Sequence, residues 1–389
     1  MLDTKKAREQ SGRDSFGRYR AQVRSAAIAS LSILEGGDID RVYCDLHDDF
    51  VIRKMGPSGY GYIFYQVKTK GKQNHNWSIN EVFGLNTRLR DQSKQNAGNI
   101  KDSFAGKLLL HTVVFDSYCN SVVFQTNIHN SDEVDELVSD IESGVFSNKF
   151  SQVLLERFNE CFGQDGKIHT LDEIKFCLSK LNFEPDVPYL KESDSFFEII
   201  AKEKIYEFSE IELERAEFRE ILLRLLDLVE KKSSGVIKVW DAESIESCAG
   251  ISIDDLLSIL SISRDAYFSL LQGGDRSAIK SASIIQRALS SGGADNASIM
   301  YCSKCKIDWD LWFRNNRHVI QEMDLFSISE RIGVVLFEAI GPQGMLKISS
   351  LRAPIKKLLN DFGDEGLRFD LTEELLLGGV FSELVKGKS

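Results

Sequence analysis

The sequence predicts a mixed α/β domain built on a mixed central sheet, followed by a mostly helical C-terminal domain. Short apolar segments of strand length crowd the first part of the chain, and long amphipathic helical patterns dominate the second. Two of the five prolines lie close together, at Pro185 and Pro188. We therefore assign residues 1–183 to the first domain and residues 184–389 to the second.

The first domain opens with a predicted helix over residues 11–34. Seven apolar side chains give it one broad apolar face, which suits packing against a sheet. They are Ala21, Val23, Ala26, Ala27, Ile28, Leu31 and Leu34. The Gly36–Gly37 pair ends the helix, because glycine accepts the left-handed conformation common after a last turn.

Five apolar segments after this helix predict the strands of the sheet. They are Val42–Asp45, Phe50–Lys54, Ile63–Lys70, Lys107–Phe115 and Val122–Thr126. The last two are continuous apolar runs, which predict central strands covered on both faces. Residues 71–106 are polar and predict a loop.

The second and third strands predict a hairpin that gathers three different functional groups. Gln66 and Lys68 lie two residues apart on one strand and therefore project from the same face. Asp49 lies at the mouth of the facing strand. A carboxylate, an amide oxygen and an ammonium at one place can hold Mg²⁺ and activate a water beside a phosphate.

This order of helix, aspartate-rich strand and Gln-x-Lys strand resembles the PD-(D/E)xK nuclease superfamily, in the variant with Gln in place of the acidic residue of ExK. The segment Gly12–Gln22, which leads into the apolar helix, extends the resemblance. Together these residues resemble the nuclease domain of the CD-NTase-associated endonuclease family, which cuts double-stranded DNA in bacterial anti-phage defence. The similarity covers roughly residues 8 to 160 and implies a restriction-endonuclease-like α/β (α+β) core.

The resemblance also implies roles for the residues at the hairpin. Asp49 would be the principal metal ligand, with the side-chain carbonyl of Gln66 and the backbone carbonyl of Val67 completing the shell. Lys68 would orient or deprotonate the water, or stabilise the pentavalent phosphate. The metal would be Mg²⁺, with Mn²⁺ as a substitute.

Asp45 and Asp48 are both candidates for a second carboxylate at this site. On one continuous strand Asp45 shares a face with Asp49 whereas Asp48 does not, so the pattern favours Asp45. Gln22 matches a helix position of the family pattern and would line the site. The alternative interpretation is an exposed turn at Asp48 and Asp49, with Lys68 on a solvated face.

The charge distribution favours nucleic acid as the partner of the first part of the chain. Residues 1–130 hold 18 Lys and Arg against 13 Asp and Glu, whereas residues 131–389 hold 30 against 46. The first part can therefore approach phosphates, and the second would repel them. Lys70, Lys72, Arg88 and Arg90 follow the site and are expected to track the DNA backbone. The alternative is a set of scattered surface cations.

The acidic second domain predicts an interaction or assembly module. The chain has no G-x-x-x-x-G-K-[ST] motif, so it cannot supply ATPase activity through a P-loop. In length and order it resembles the nuclease subunit of Lamassu anti-phage systems. That resemblance implies an SMC-like ATPase subunit and a small accessory subunit as partners, and a homo-oligomer as the active form. The alternatives are a nuclease gated by a cyclic oligonucleotide and a non-catalytic DNA-binding scaffold.

The composition predicts a cytoplasmic protein that does not enter a membrane. No apolar run reaches the ~18–20 residues of a membrane span, and no signal peptide is visible after the first charges. The seven cysteines are scattered, as is typical of reduced thiols.

Overall fold

The computed structural model describes residues 10–57, 59–71, 75–163, 168–191, 194–209, 215–275, 277–341 and 344–387. The chain divides into two compact units. The first comprises residues 1–201 and 222–253, and the second comprises residues 202–221 and 254–389. The domain boundary expected at residues 183/184 therefore falls inside the first unit.

A six-stranded mixed sheet forms the centre of the first unit. Its strands are β1 Ile39–Leu46, β2 Asp48–Gly56, β3 Gly59–Lys68, β4 Cys119–Thr126, β5 Leu181–Glu184 and β6 Gly250–Ile251. They lie in the order β5-β4-β3-β2-β1-β6. The first three strands form an antiparallel meander, β4 and β5 continue the sheet in parallel, and β6 pairs antiparallel with β1.

Helices connect the strands of the first unit and build the second. Those before residue 192 are α1 Gln10–Leu31, α2 Ile79–Phe83, α3 Ala97–Asp102, α4 Phe104–Val114, α5 Asp132–Glu142, α6 Lys149–Phe162 and α7 Leu171–Ser179. Those that follow are α8 Asp194–Ser209, α9 Arg215–Ser233, α10 Ala242–Ala249, α11 Ile253–Ile259, α12 Arg264–Gln272, α13 Ala278–Ser291, α14 Asn296–Asn316, α15 Glu322–Ala339, α16 Ile348–Asp364 and α17 Glu373–Lys386.

Helices α1 and α4 cover opposite faces of the sheet. Successive side chains of a strand point to opposite faces, and β3 shows this clearly. Phe64 stacks on His111 of α4, with ring centroids 4.5 Å apart. Val67 points the other way, and its neighbour in the register, Gln125 of β4, bonds to Ser25 of α1. The sheet is therefore covered on both sides.

The segment Lys107–Phe115, predicted as a central strand, is the helix α4, so that prediction is wrong. Ser103 caps the helix by accepting the backbone N–H of Gly106 at 3.0 Å. Its buried residues follow helical spacing; they are Ala105, Gly106, Leu108, Leu109 and Thr112. A short apolar run does not distinguish a buried strand from a buried helix, and here the helical cap in front of the run decides the outcome.

The other predicted elements of the first unit are partly confirmed. The helix α1 and the strands β1 to β4 occupy the expected positions, apart from the segment that became α4. The predicted loop over residues 71–106 contains the helices α2 and α3, while residues 72–74 lie outside the described part of the chain. The apolar segment at residues 236–240 is irregular, and the side chains of Val236 and Trp240 are exposed.

An ion-pair cluster attaches α10 and β6 to the β1 edge of the sheet. Glu246 of α10 accepts hydrogen bonds from Arg53 at 2.8 Å, Arg41 at 2.8 Å and the Tyr43 hydroxyl at 2.5 Å. Arg53 also pairs with Asp40 at 2.7 Å. The contacts of Glu246 join residues about 200 positions apart in sequence and complete the first unit.

In the second unit, every regular element described between residues 254 and 387 is a helix. Trp309, Phe362 and Phe381 are the largest fully buried side chains of its core. Gly378 of α17 faces α14 so closely that an added Cβ would overlap the carbonyl of Cys305, and only glycine allows this approach. None of the described helices combines the length and apolar character needed to cross a membrane.

Candidate active site

The first feature of the site is an aspartate that extends the hydrogen bonding between β2 and β3. The last paired residues at this end of the two strands are Phe50 and Tyr65. Beyond this pair, the Asp49 side chain serves as the acceptor in place of the backbone. Its Oδ2 accepts the backbone N–H of Val67 at 2.6 Å. The carboxylate is therefore fixed to the backbone of the neighbouring strand.

Two further side chains hold the same carboxylate. Gln22 of α1 donates from Nε2 to Asp49 Oδ1 at 2.6 Å, and Lys68 Nζ lies 3.1 Å from Oδ2. The Asp49 side chain is 14% exposed and the Lys68 side chain 24%. Four of the predicted site residues, Gln22, Asp49, Val67 and Lys68, thus meet at one place.

The surroundings of the Asp49 carboxylate disfavour its ionised form. Burial raises the pKa of Asp49, and the nearby charge of Asp48 raises it further. The ammonium of Lys68 and the N–H of Val67 lower the pKa of Asp49, but they do not reverse the shift. The ionised form is therefore incompletely compensated by the protein, a situation that an additional cation would relieve.

Asp48 forms a second cluster beside the first. Its Oδ1 accepts the backbone N–H of Asp49 at 3.0 Å and lies 3.5 Å from Nε2 of Gln66. Its Oδ2 lies 3.1 Å from Nε2 of His111. Sequence reasoning missed His111, because the run that contains it was predicted to be a strand. The helix-capping Ser103 in front of the run was the available signal.

The side-chain oxygen of Gln66 is a site atom that lacks a partner. Gln66 is 7% exposed, and its Oε1 accepts no hydrogen bond within the described part of the chain. A buried acceptor in this condition is rare and costs about 1–3 kcal/mol unless something binds it. An amide oxygen is also a ligand that Mg²⁺ accepts.

The donor set at this position therefore fits a hard divalent cation that keeps several waters. It offers the Asp49 carboxylate, Gln66 Oε1 and the backbone carbonyl of Val67, all oxygen ligands. Residues 10–387, outside the gaps given above, contain no group of three or more His, Cys, Asp or Glu side chains arranged to hold a metal. A cation here would consequently depend on amide, carbonyl and water oxygens as well as carboxylate.

Asp45 does not join this site, although strand parity favoured it. The side chain is exposed and lies within electrostatic range of Tyr19 of α1. The strand does not run on from Asp45 to Asp49, because β1 ends at Leu46 and the chain reverses at His47, whose φ is +63°. The tight reversal breaks the alternation and brings Asp48 next to Gln66 instead.

The cations predicted to contact DNA have different surroundings. Lys70 pairs with Glu81 at 2.7 Å and lies 4.0 Å above the ring of Trp77. Arg88 and Arg90 are exposed. Lys72 lies outside the described residues. Lys70 is thus held by its neighbours, whereas the two arginines present their side chains to solvent.

A buried polar network holds α1 in place on the sheet. Gln125 of β4 accepts a hydrogen bond from the Ser25 hydroxyl and donates to Glu184 at 2.6 Å and to the Tyr189 hydroxyl at 3.0 Å. Ser25 lies about one turn beyond Gln22. Because α1 is fixed here, the Gln22 amide is presented to the Asp49 carboxylate from a rigid helix.

Comparison with known proteins places most of the first unit in a family. The family model described as "Cap4, dsDNA endonuclease domain" matches residues 10–233. No curated protein matches the chain. Residues 10–233 contain α1, the meander β1–β3, the parallel strands β4 and β5, and every residue of the site described above.

Three solved structures share limited similarity with the chain. One is the Acinetobacter baumannii Cap4 SAVED/CARF-domain containing receptor with the cyclic trinucleotide 3'3'3'-cAAA, at 13% identity and a TM-score of 0.37, covering 66% of this chain and 45% of the receptor. The same receptor with 2'3'3'-cAAA gives 12% identity and a TM-score of 0.36, covering 76% of this chain and 58% of the receptor.

The third is the Moraxella osloensis Cap4 SAVED/CARF-domain containing receptor, at 14% identity and a TM-score of 0.37, covering 77% of this chain and 61% of the receptor. The chain thus spans about half the length of these receptors. The family match extends over more than half of the chain and confirms the expected relation to CD-NTase-associated nucleases. The chain belongs to the Cap4 double-stranded DNA endonuclease domain family.

Proposed function

We propose that the chain is a metal-dependent endonuclease that hydrolyses double-stranded DNA at the hairpin site, as an effector of bacterial defence against phages or plasmids. One observation carries the proposal. The Asp49 carboxylate lies between Gln22, the N–H of Val67 and the ammonium of Lys68, and the adjoining Asp48 cluster contains Gln66, whose buried Oε1 has no partner among the described residues. The family match over residues 10–233 supports the same reaction.

Asp49, Gln66 Oε1 and the Val67 carbonyl are the residues that would hold Mg²⁺ or Mn²⁺. When bound, the cation would supply charge neutralisation at the phosphate and a more acidic water. Gln22 orients the Asp49 carboxylate through its 2.6 Å hydrogen bond. Gln22 uses one lone pair of Oδ1, whereas Val67 N–H and the Lys68 ammonium use those of Oδ2, so Oδ1 keeps a lone pair available for a cation.

Lys68 is the residue that we expect to act on the reacting phosphate. Its Nζ lies 3.1 Å from the Asp49 carboxylate, and its side chain is partly exposed, so it can reach a bound phosphodiester without leaving its partner. In this position a lysine ammonium stabilises the negative charge that develops on the pentavalent phosphate, or orients the attacking water. The restriction-endonuclease-like arrangement expected from the sequence accounts for these roles.

Arg88 and Arg90 are the preferred contacts to the DNA backbone in this proposal. Both are exposed, in contrast to Lys70, whose ammonium already pairs with Glu81. Backbone contacts of this kind position DNA without reading its sequence, and they weaken as salt rises. Lys72 keeps its expected role as a further contact.

We further propose that partner proteins or self-association control the nuclease. The acidic balance of residues 131–389 and the helical character of the second unit suit docking to a basic surface and disfavour nonspecific DNA binding. The partners inferred from the sequence are an SMC-like ATPase subunit and a small accessory subunit, with a homo-oligomer as the active form. Gating by a cyclic oligonucleotide is the second mode of control, and a non-catalytic scaffold is the third hypothesis.

A plasmid-cleavage assay tests the proposed activity. The purified chain is incubated with supercoiled DNA in Mg²⁺, in Mn²⁺ or in EDTA, alone and with the proteins encoded beside it. We expect metal-dependent cutting by the wild type that falls by roughly 10³-fold in Lys68→Ala, within the range for loss of one catalytic proton-transfer or charge-stabilising group.

Lys54→Ala is the matched control for this assay. Lys54 lies on the neighbouring strand β2, is paired with Asp38 at 3.3 Å and is 42% exposed, so its loss should leave cutting unchanged. Equal cutting by Lys68→Ala and the wild type would refute the proposed site. DNA binding without cutting, even with partner proteins present, would favour the scaffold hypothesis.

A further inference from the structure

The amide of Gln66 must be presented in one of its two orientations for the proposed site to work. A glutamine side chain carries an oxygen on one edge and an NH₂ group on the other. Only the oxygen can bind a cation. In the PD-(D/E)xK pattern an acidic residue holds this place, and both of its oxygens are ligands. A Gln-x-Lys site therefore needs something that fixes which edge of the amide faces the cation.

The structure contains a group suited to this task. Asp48 Oδ1 lies 3.5 Å from Nε2 of Gln66 and accepts the backbone N–H of Asp49 at 3.0 Å. Were the amide reversed, its oxygen would face an oxygen that already acts as an acceptor, and the two would repel. The observed orientation puts NH₂ toward Asp48 and leaves the buried Oε1 unpartnered within the described part of the chain.

Asp48 is itself held so that it can serve as this reference. Its side chain is 7% exposed, and its Oδ2 lies 3.1 Å from Nε2 of His111. The His111 ring stacks on Phe64, with an interplanar angle of 14°, and is 13% exposed. A packed imidazole, a buried carboxylate and a buried amide thus form a continuous chain that ends at Gln66 Oε1.

We propose that Asp48 is a positioning residue that fixes the Gln66 amide with Oε1 toward the bound cation, and that His111 holds Asp48 in place. This inference rests on the proposed metal-dependent function. It assigns Asp48 a role different from that of a second metal ligand. The chain thereby compensates for the replacement of a symmetric carboxylate by an asymmetric amide.

The test is the Mg²⁺ affinity of four metal-free proteins, measured by titration calorimetry: the wild type, Asp48→Asn, Gln66→Glu and the double variant. An asparagine at position 48 has the same shape as the aspartate but can face Gln66 with either edge, so it no longer selects the amide orientation. With Gln66 in place, we expect Asp48→Asn to weaken Mg²⁺ binding by roughly 10-fold, as the loss of other outer-shell partners does. With glutamate at position 66, where no orientation needs selecting, we expect a loss of at most about 3-fold.

Each outcome has a distinct meaning. Equal losses in the two backgrounds would overturn the inference, because Asp48 would then act through its charge or as a ligand. No loss in either background would overturn it as well. A wild type that binds no Mg²⁺, or binding that survives Asp49→Asn, would instead refute the proposed metal site and the inference with it.

His111→Phe provides a second variant that keeps the ring stack on Phe64. It removes only the hydrogen bond to Asp48 Oδ2, so we expect a smaller loss of Mg²⁺ affinity in the same direction, again confined to proteins that retain Gln66. A loss of the same size in the Gln66→Glu background would show that His111 acts on the site by another route and would contradict its role as the support of Asp48.

Discussion

Each unit of the molecule contains a lysine paired with carboxylates largely away from solvent, and the two clusters differ in how completely they are satisfied. In the second unit, Lys306 lies 2.8 Å from both Asp275 and Asp310 and is 6% exposed. Hydroxyls complete the cluster, Ser281 at 2.7 Å from Asp275 and Ser382 at 3.0 Å from Asp310. In the first unit, Lys68 pairs with Asp49, and the neighbouring Oε1 of Gln66 has no partner among the described residues.

The pKa values of the two aspartates shift in opposite directions. Burial alone would raise the pKa of Asp275, but the hydrogen bond and charge of Lys306, with Ser281, hold it below its ordinary value. Burial raises the pKa of Asp49, and Lys68 lowers it only in part. A cluster that only supports the fold is complete by itself, whereas the cluster at the hairpin is completed by a cation in our proposal.

The largest effect on stability is expected at Lys306. In Lys306→Met the ammonium disappears while two carboxylates stay in place, one of them with a side chain only 10% exposed. We expect the second unit to lose about 3–5 kcal/mol of stability, as when one partner of a buried ion pair is removed. Calorimetric unfolding of the full chain measures this loss. Lys304→Met, an exposed position on the same helix, should change stability by less than about 0.5 kcal/mol.

A smaller effect is expected from acid on the same cluster. Because the pKa of Asp275 is lowered in the folded protein, its stabilising contribution is complete above the unfolded value of about 3.9 and is lost as the pH falls through the folded value. The destabilisation by Asp275→Asn should therefore be largest near pH 7 and shrink below about pH 4. A destabilisation independent of pH would show that the charge of Asp275 contributes nothing.

The smallest effect on stability is expected at Asp49. Since the pKa of Asp49 is raised in the folded protein, its ionised form opposes folding at pH values above the unfolded pKa, and protonation relieves the penalty as the pH falls. Metal-free Asp49→Asn should thus unfold within about 1 kcal/mol of the wild type or be slightly more stable, although we expect it not to cut DNA. A loss as large as that of Lys306→Met would remove the contrast between the clusters.

The sequence indicated which side chains meet at the hairpin because those signals are local. The spacing of Gln66 and Lys68 fixes their common face, and the apolar periodicity of α1 places Gln22 on a helix. The reversal that excludes Asp45 depends on positive φ angles at both Asp45 and His47, which no pattern revealed. The apolar run around His111 was equally compatible with a strand and a buried helix.

Pairings between distant segments lay beyond sequence reasoning for a different reason. The edge strand β6 has two residues, and it joins β1 beside the contacts of Glu246 with Arg41 and Arg53. So short a segment carries no periodicity of its own. Tertiary contacts, and no local sequence pattern, therefore determine that residues 222–253 return to complete the first unit.

The thermal stability of the full chain as a function of Mg²⁺ tests most directly whether a cation completes the hairpin site. A ligand that binds only the folded state stabilises it by about 2.7 kcal/mol at roughly one hundred times its Kd. We expect Mg²⁺ to raise the Tm of the wild type and of Asp38→Asn, whose carboxylate is exposed and pairs with Lys54, and to leave the Tm of Asp49→Asn unchanged. An equal rise in all three proteins, or no rise in the wild type, would contradict the account.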